Sequence, residues 1–275
     1  MPFHIRTDLS SQELARVLLH PTLEDVIIQG DKLSFKLDAN VNIPHVDLLD
    51  CDTDDVCRVK RLTLQEWDVP PYMLLAMIRI TEKLEAFESH DNPCAQWGRC
   101  FSSRDTTLSI LKQQSHLLQH LSLTEAHRGA FTSPQQPISL IDFSKLKTLD
   151  LAWRALEGRP FGHSTIPAGR VLLPPSLLKL TIHVEIVFER LHWDEQVATW
   201  TSYDILRNLA LEKPVQWPQL REVKIKEANM LHVTVPRELP QHEARMTEVV
   251  QVFKSAEIKI ERSVEQISTI LKRLD

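Results

Sequence analysis

Leu146-Lys147-Thr148-Leu149-Asp150-Leu151 is the stretch that decides how this chain folds. Its last two leucines alternate with polar neighbours, and a period of two marks a strand with one apolar side. Working outward, the phrase Leu-x-x-Leu-x-Leu recurs with aliphatic swaps. It appears as Leu23/Val26/Ile28, Val59/Leu62/Leu64, Leu118/Leu121/Leu123, Leu177/Leu180/Ile182 and Leu220/Val223/Ile225. A weaker copy sits at Leu84/Phe87/Ser89 and a last one around Ile258/Ile260. A one-faced strand that returns every few tens of residues can bury its apolar side only by stacking on its neighbours. The expected class is α/β: an irregular solenoid of about eight units, with a parallel inner sheet and helices and loops on the outer face.

The copies start at 23, 59, 84, 118, 146, 177, 220 and, loosely, 255. Regular leucine-rich repeats run roughly 20–29 residues. These gaps are mostly longer and uneven, so the repeat is leucine-rich-repeat-like but degenerate, with loop insertions. The Asn that closes a regular turn is nearly missing: only Asn92 falls there, and Asp31, Trp67, Ala126, Arg154, Glu185 and Ala228 fill the other places. No Asn ladder is expected, and the turns must be tied differently.

Helices are expected between the strands. Ser10 and Glu13 form a capping box ahead of Leu14, Val17 and Leu18. Pro70-Pro71 opens a second helix carrying Leu74, Leu75 and Ile78. Others are expected over Thr107–Leu118, Asp194–Leu211 and His242–Phe253, and a terminal one begins at Ser263, with Gln266 completing its cap. The stretches 90–105 and 157–173, rich in Gly, Pro, Asn and Ser, read as loops. Residues 1–275 are therefore expected to form a single solenoid domain. Residues 1–20 would be its N-terminal capping helix, and 240–275 a C-terminal helix–strand–helix cap.

Composition narrows the function classes. Apolar residues make up 43%, charged residues 25%, and the net charge is -5. No global basic field exists to recruit nucleic acid or an anionic membrane. With Gly at 6, no phosphate-cradling loop is found. Neither a secretory signal nor a long apolar run is visible. Four Cys do not make a disulfide framework. A reducing compartment, cytoplasmic or nuclear, is expected.

Chemistry-bearing residues are few. Cys51, Cys57, Cys94 and Cys100, with His90, could in principle supply zinc ligands. Neither Cys pair has the two-to-four-residue spacing usual in structural zinc sites. His116 and His120 are four apart, but Leu117 stands where a zinc protease needs Glu. No nucleophile elbow is present. The expectation is no catalysis, no metal and no cofactor, the open alternative being a metal-binding enzyme or sensor built on the Cys/His loop.

The residues between the apolar anchors form a second row that should face solvent together. Those singled out as partner-binding are Arg61, Thr63, Gln65, His120, Ser122, Thr124, Thr148, Asp150, Lys179, Thr181, His183, Glu222, Lys224 and Lys226. Asp25 and Glu88 lie in the same row. Trp67 and Trp153 follow their strands and would flank it. The early part of the row is neutral to acidic and the late part basic.

One order of segments resembles a known family. Leu-Leu-Gln-His-Leu-Ser-Leu-Thr-Glu-Ala-His-Arg-Gly (117–129) precedes Ile-Ser-Leu-Ile-Asp-Phe-Ser-Lys-Leu-Lys-Thr-Leu-Asp-Leu (138–151). Ala-Leu-Glu-Gly (155–158) and Leu-Leu-Pro-Pro-Ser-Leu-Leu-Lys-Leu-Thr-Ile (172–182) follow. This order is similar to the leucine-rich repeat region of fungal F-box proteins, and Leu-Leu-His-Pro-Thr-Leu-Glu-Asp-Val-Ile-Ile (18–28) fits as well. The resemblance implies a substrate-recognition module of a ubiquitin ligase, binding an unidentified protein target. The first repeat strand begins by Leu23, so no F-box is expected within the chain. Ligase components would be partners only if that box lies outside it. A plain scaffold unrelated to ubiquitin is the third alternative.

Overall fold

The computed structural model describes residues 3–6, 18–20, 22–29, 57–65, 71–90, 104–124, 139–152, 172–187, 196–230 and 239–266. By its contacts, the single domain expected over 1–275 divides into two compact units, Met1–Phe131 with Asp142–Leu146, and Thr132–Ile141 with Lys147–Asp275.

In the first unit, β1 (Phe3–Arg6), β2 (Asp25–Gln29), β3 (Arg61–Gln65), β4 (Ala86–His90) and β5 (His120–Leu123) pair in that order, all parallel. Register follows the phrase. Val26, Leu62, Phe87 and Leu121 stand level, and Ile28, Leu64, Ser89 and Leu123 stand level one step on. All eight are buried, Ser89 filling a leucine slot in the weaker copy. A buried aliphatic or Phe side chain contributes about 1.5–3 kcal/mol, and these two columns form the unit's core.

Two helices cover this core. Helix α1 (Pro71–Ile80) buries Leu74, Met77 and Ile78, one face at helical spacing, and packs against α2 (Arg104–Leu111), which buries Leu108, Ile110 and Leu111. Thr81 closes α1: its hydroxyl donates to the carbonyls of Met77 at 2.9 Å and Ile78 at 3.3 Å. The helix expected to reach Leu118 stops earlier. After Leu111 the chain tightens into a 3-10 turn, Lys112–Gln114, whose last carbonyl receives the Leu117 and Leu118 amides.

The second unit holds β6 (Thr148–Ala152), β7 (Lys179–Val187), β8 (Glu222–Met230) and β9 (Lys259–Gln266), again all parallel. Leu149, Leu180, Val223 and Ile260 are level, as are Leu151, Ile182 and Ile225. Helix α3 (Gln196–Gln216) packs on α4 (Leu239–Ser255). They bury Leu206, Leu209 and Ala210 on one side and Met246, Val249 and Phe253 on the other. Lys213 Nζ reaches from α3 to the carbonyls of Ala256 at 2.7 Å and Glu257 at 3.3 Å, at the end of α4. Glu257 there adopts φ 56, a left-handed helix stop without glycine.

Two expectations change at the ends. Ser263 and Gln266, read as the cap of a terminal helix, lie in β9, whose pairing with β8 runs on to Gln266. Ladder bonds to a long partner strand outweighed the local capping signal. Phe3–Arg6, expected within an N-terminal capping helix, is the edge strand β1, and residues 7–17 lie outside the described residues. No described helix is long and apolar enough to cross a membrane.

Of the places read for a turn Asn, Glu185 and Ala228 lie inside β7 and β8 and the others lie outside the described residues; the turns that lead into the strands are tied by backbone. Leu23, Leu84, Leu146, Leu177 and Leu220, each the first leucine of a phrase, donate to the carbonyls of His20, Thr81, Phe143, Pro174 and Trp217, three residues back. One residue further on, a second tie repeats. The Glu24 carbonyl accepts both the Lys60 and Arg61 amides, Lys60 accepts Glu85 and Ala86, and Glu85 accepts Gln119 and His120. In the second unit, Lys147 accepts Leu178 and Lys179, and Leu178 accepts Arg221 and Glu222. A carbonyl has two lone pairs, and each of these uses both to seat the next strand.

Candidate functional site

Parallel pairing without offset brings the second row of residues into columns. In the first unit Thr63, Glu88 and Ser122 stand level, with Arg61, Ala86 and His120 on one side and Gln65 and His90 on the other. The early row is therefore a real surface feature of this unit, but its middle is not all solvated. Thr63 is 4% exposed and Ser122 2%, against the expectation that both face solvent. They are small, and on strands about 4.8 Å apart the longer side chains beside them close over them.

Glu88 is the centre of the face. His90 Nε2 lies 3.0 Å from its Oε2, and His120 Nε2 3.3 Å from its Oε1. The other ring nitrogen of His90 is 2.6 Å from the Thr124 hydroxyl. With the Nε2 hydrogen directed at the carboxylate, His90 accepts from Thr124 at Nδ1. The hydrogen bond from His120, and then that from His90, holds the Glu88 carboxyl far below the usual carboxylate range, although partial burial opposes them. Glu88 is thus an anion that two imidazoles keep in place. On its far side Arg61 is drawn to Asp25, 3.8 Å away.

Level with Glu88, the Ser122 hydroxyl is buried and has no hydrogen-bond partner. An unpaired buried hydroxyl is uncommon and costs about 1–3 kcal/mol.

In the second unit, Lys179, Glu222 and Lys259 form one level, Asp150, Thr181, Lys224 and Glu261 the next, and His183, Lys226 and Ser263 a third. Two lysines of the late row are held by carboxylates. Glu222 lies between Lys179 at 3.1 Å and Lys259 at 3.3 Å, and Lys224 meets Glu261 at 2.7 Å. Strand β9 brings one lysine and one acid to this face, so the charge balance of the row is unchanged. These contacts lower the Glu222 and Glu261 carboxyls and raise the Lys224 ammonium, each by its hydrogen-bonded partner first. All are surface pairs in water, so each contributes little to stability. His183 Nε2 and Asp150 Oδ1 approach to 2.6 Å, outside hydrogen-bond geometry.

No protein-family model matches the chain, and no curated protein matches it.

Of the four thiol candidates, only Cys57 lies among the described residues. Cys57 is a core residue, 3% exposed, whose thiol donates to the Leu18 carbonyl at 3.0 Å. Burial pushes its pKa up, away from the thiolate that a metal requires. His90, read as the start of a loop, closes β4 and is occupied by Glu88 and Thr124. Cys51, Cys94 and Cys100 lie outside the described residues, as do Trp67 and Trp153. Among the described residues, no three His, Cys, Asp or Glu are grouped to hold a metal ion.

The importance of Glu88 was hidden in the sequence because its two partners are two and thirty-two residues away. The alternation Ala86-x-Glu88-x-His90 was the available signal. Carried one step further, it puts His90 on the same face.

Proposed function

We propose that this chain is a non-catalytic protein-binding module. In this reading it is an irregular leucine-rich-repeat-like scaffold of the cytoplasm or nucleus, similar to the target-binding part of fungal F-box proteins. Its partner contacts lie on the second-row faces described above. The observation that carries it is the register. The inward positions of β2 to β8 are sealed into the cores, while the same register gathers on their other side polar and charged side chains whose identities the cores do not require. The proposal covers target binding and not ligase assembly. Recovery of a Skp-type linker by this chain alone would extend it to the ligase.

Site-directed photo-cross-linking tests this reading. A benzoylphenylalanine placed at Gln65 of the first unit, or at Thr148 or Lys224 of the second, should give covalent adducts with a specific protein. One placed at Glu82 or Arg207, exposed away from these faces, should not. Equal capture from both sets, or none from the first, overturns the proposal.

A further inference from the structure

We propose that Glu88, with Ser122 level with it on the next strand, receives the guanidinium of an arginine side chain of the bound protein. This rests on the reading of the first unit's face as a binding surface, and it specifies the partner's chemistry there.

Glu88 is the sole carboxylate on the faces of β3, β4 and β5, and the cation nearest in the register, Arg61, is drawn to Asp25. Facing Glu88 are Thr63, Arg61 and Gln65 from β3, His90 from its own strand, His120 and Ser122 from β5, and Thr124 just beyond β5. Each carboxylate oxygen meets one imidazole nitrogen, and a carboxylate has about four acceptor positions, so capacity is left over. The imidazole and carboxylate side chains are 24–32% exposed, which leaves the rings room to turn outward. As they turn, Glu88 and the level of Ser122 open together. Ser122 then gains the partner that it lacks in the unbound chain.

The geometry favours arginine over lysine. The two acceptors sit on neighbouring strands about 4.8 Å apart. A planar five-donor fork reaches both at once, whereas an ammonium acts as a point charge. Displaced imidazole rings would also offer flat faces on which a guanidinium stacks. An arginine pairs with a carboxylate through two parallel N–H···O bonds, a geometry that neither imidazole offers on its own, and this favours the exchange.

The test uses the full chain and N-acetyl-arginine amide as the probe. NMR follows the ring signals of His90 and His120, assigned through His90→Gln and His120→Gln. The expected result is a saturable shift of both rings. N-acetyl-citrulline amide, of the same shape but uncharged, should bind at least about tenfold more weakly. Glu88→Gln should abolish the arginine effect, and Ser122→Ala should weaken it about fivefold. Equal shifts with citrulline, an undiminished response in Glu88→Gln, or no shift at all overturns the inference. If the Gln65, Thr148 and Lys224 cross-links capture a protein while the arginine probe fails, this inference falls and the binding reading stands. If those positions capture nothing, the binding reading falls and this inference with it.

Discussion

Two buried hydroxyls in the same unit should respond to deletion with opposite signs. Ser122 is 2% exposed and its Oγ has no partner. Its burial therefore carries a desolvation cost of about 1–3 kcal/mol with nothing to offset it. Ser122→Ala removes that cost and forfeits only the dispersion contacts of one oxygen, about 0.1–0.2 kcal/mol each. The expected net gain is about 1 kcal/mol, or roughly 4 °C in Tm. Thr81, 0% exposed, donates to two carbonyls at the end of α1. Thr81→Val keeps the shape and loses both contacts, although the Thr81 amide still reaches Met77 at 3.0 Å. That substitution should cost about 1 kcal/mol. Urea unfolding followed by circular dichroism compares both variants with the parent. A loss of stability in Ser122→Ala, or shifts of the same sign in both, would refute the claim that Ser122 is an orphan.

Three further outcomes are expected. Glu88 has a folded-state pKa below its unfolded one, so its contribution is complete above the ordinary Glu range near 4.3 and is lost as pH falls below it; stability of Glu88→Gln, measured from pH 6 to pH 2, should fall less steeply in acid than the parent's. Lys213→Met removes the ammonium that binds two carbonyls at the end of α4 and should cost about 1–2 kcal/mol in urea melts, less at high salt. Glu257→Gly relieves a side chain held at φ 56 and should raise the Tm of the second unit, a gain of about 0.5–1 kcal/mol.

The strands were legible because burial writes a period of two into the sequence. Each copy of the phrase, including the weak one with Ser89, occupies a strand. What was not legible depends on distance along the chain. β1 has no phrase and exists because β2 offers it an edge. The partner of Lys224, Glu261, lies thirty-seven residues away. Cys57 looked like half of a ligand pair, yet its thiol donates to the Leu18 carbonyl, thirty-nine residues earlier. Local capping signals also misled at Ser263, because ladder hydrogen bonds to β8 are stronger than one side-chain cap.

The carbonyls of Glu24, Lys60, Glu85, Lys147 and Leu178 that each seat two amides have a consequence for how such a chain can change. A joint made of amides and carbonyls asks nothing of the side chain that happens to sit there; here Glu, Lys and Leu all serve. Mutation can sweep through these positions, and loops of different length can be spliced between them, while the hydrogen bonds persist. Only the apolar anchors are held by selection for packing. Two descendants of one ancestor built on this plan could keep every joint and yet share little more than a scatter of leucines.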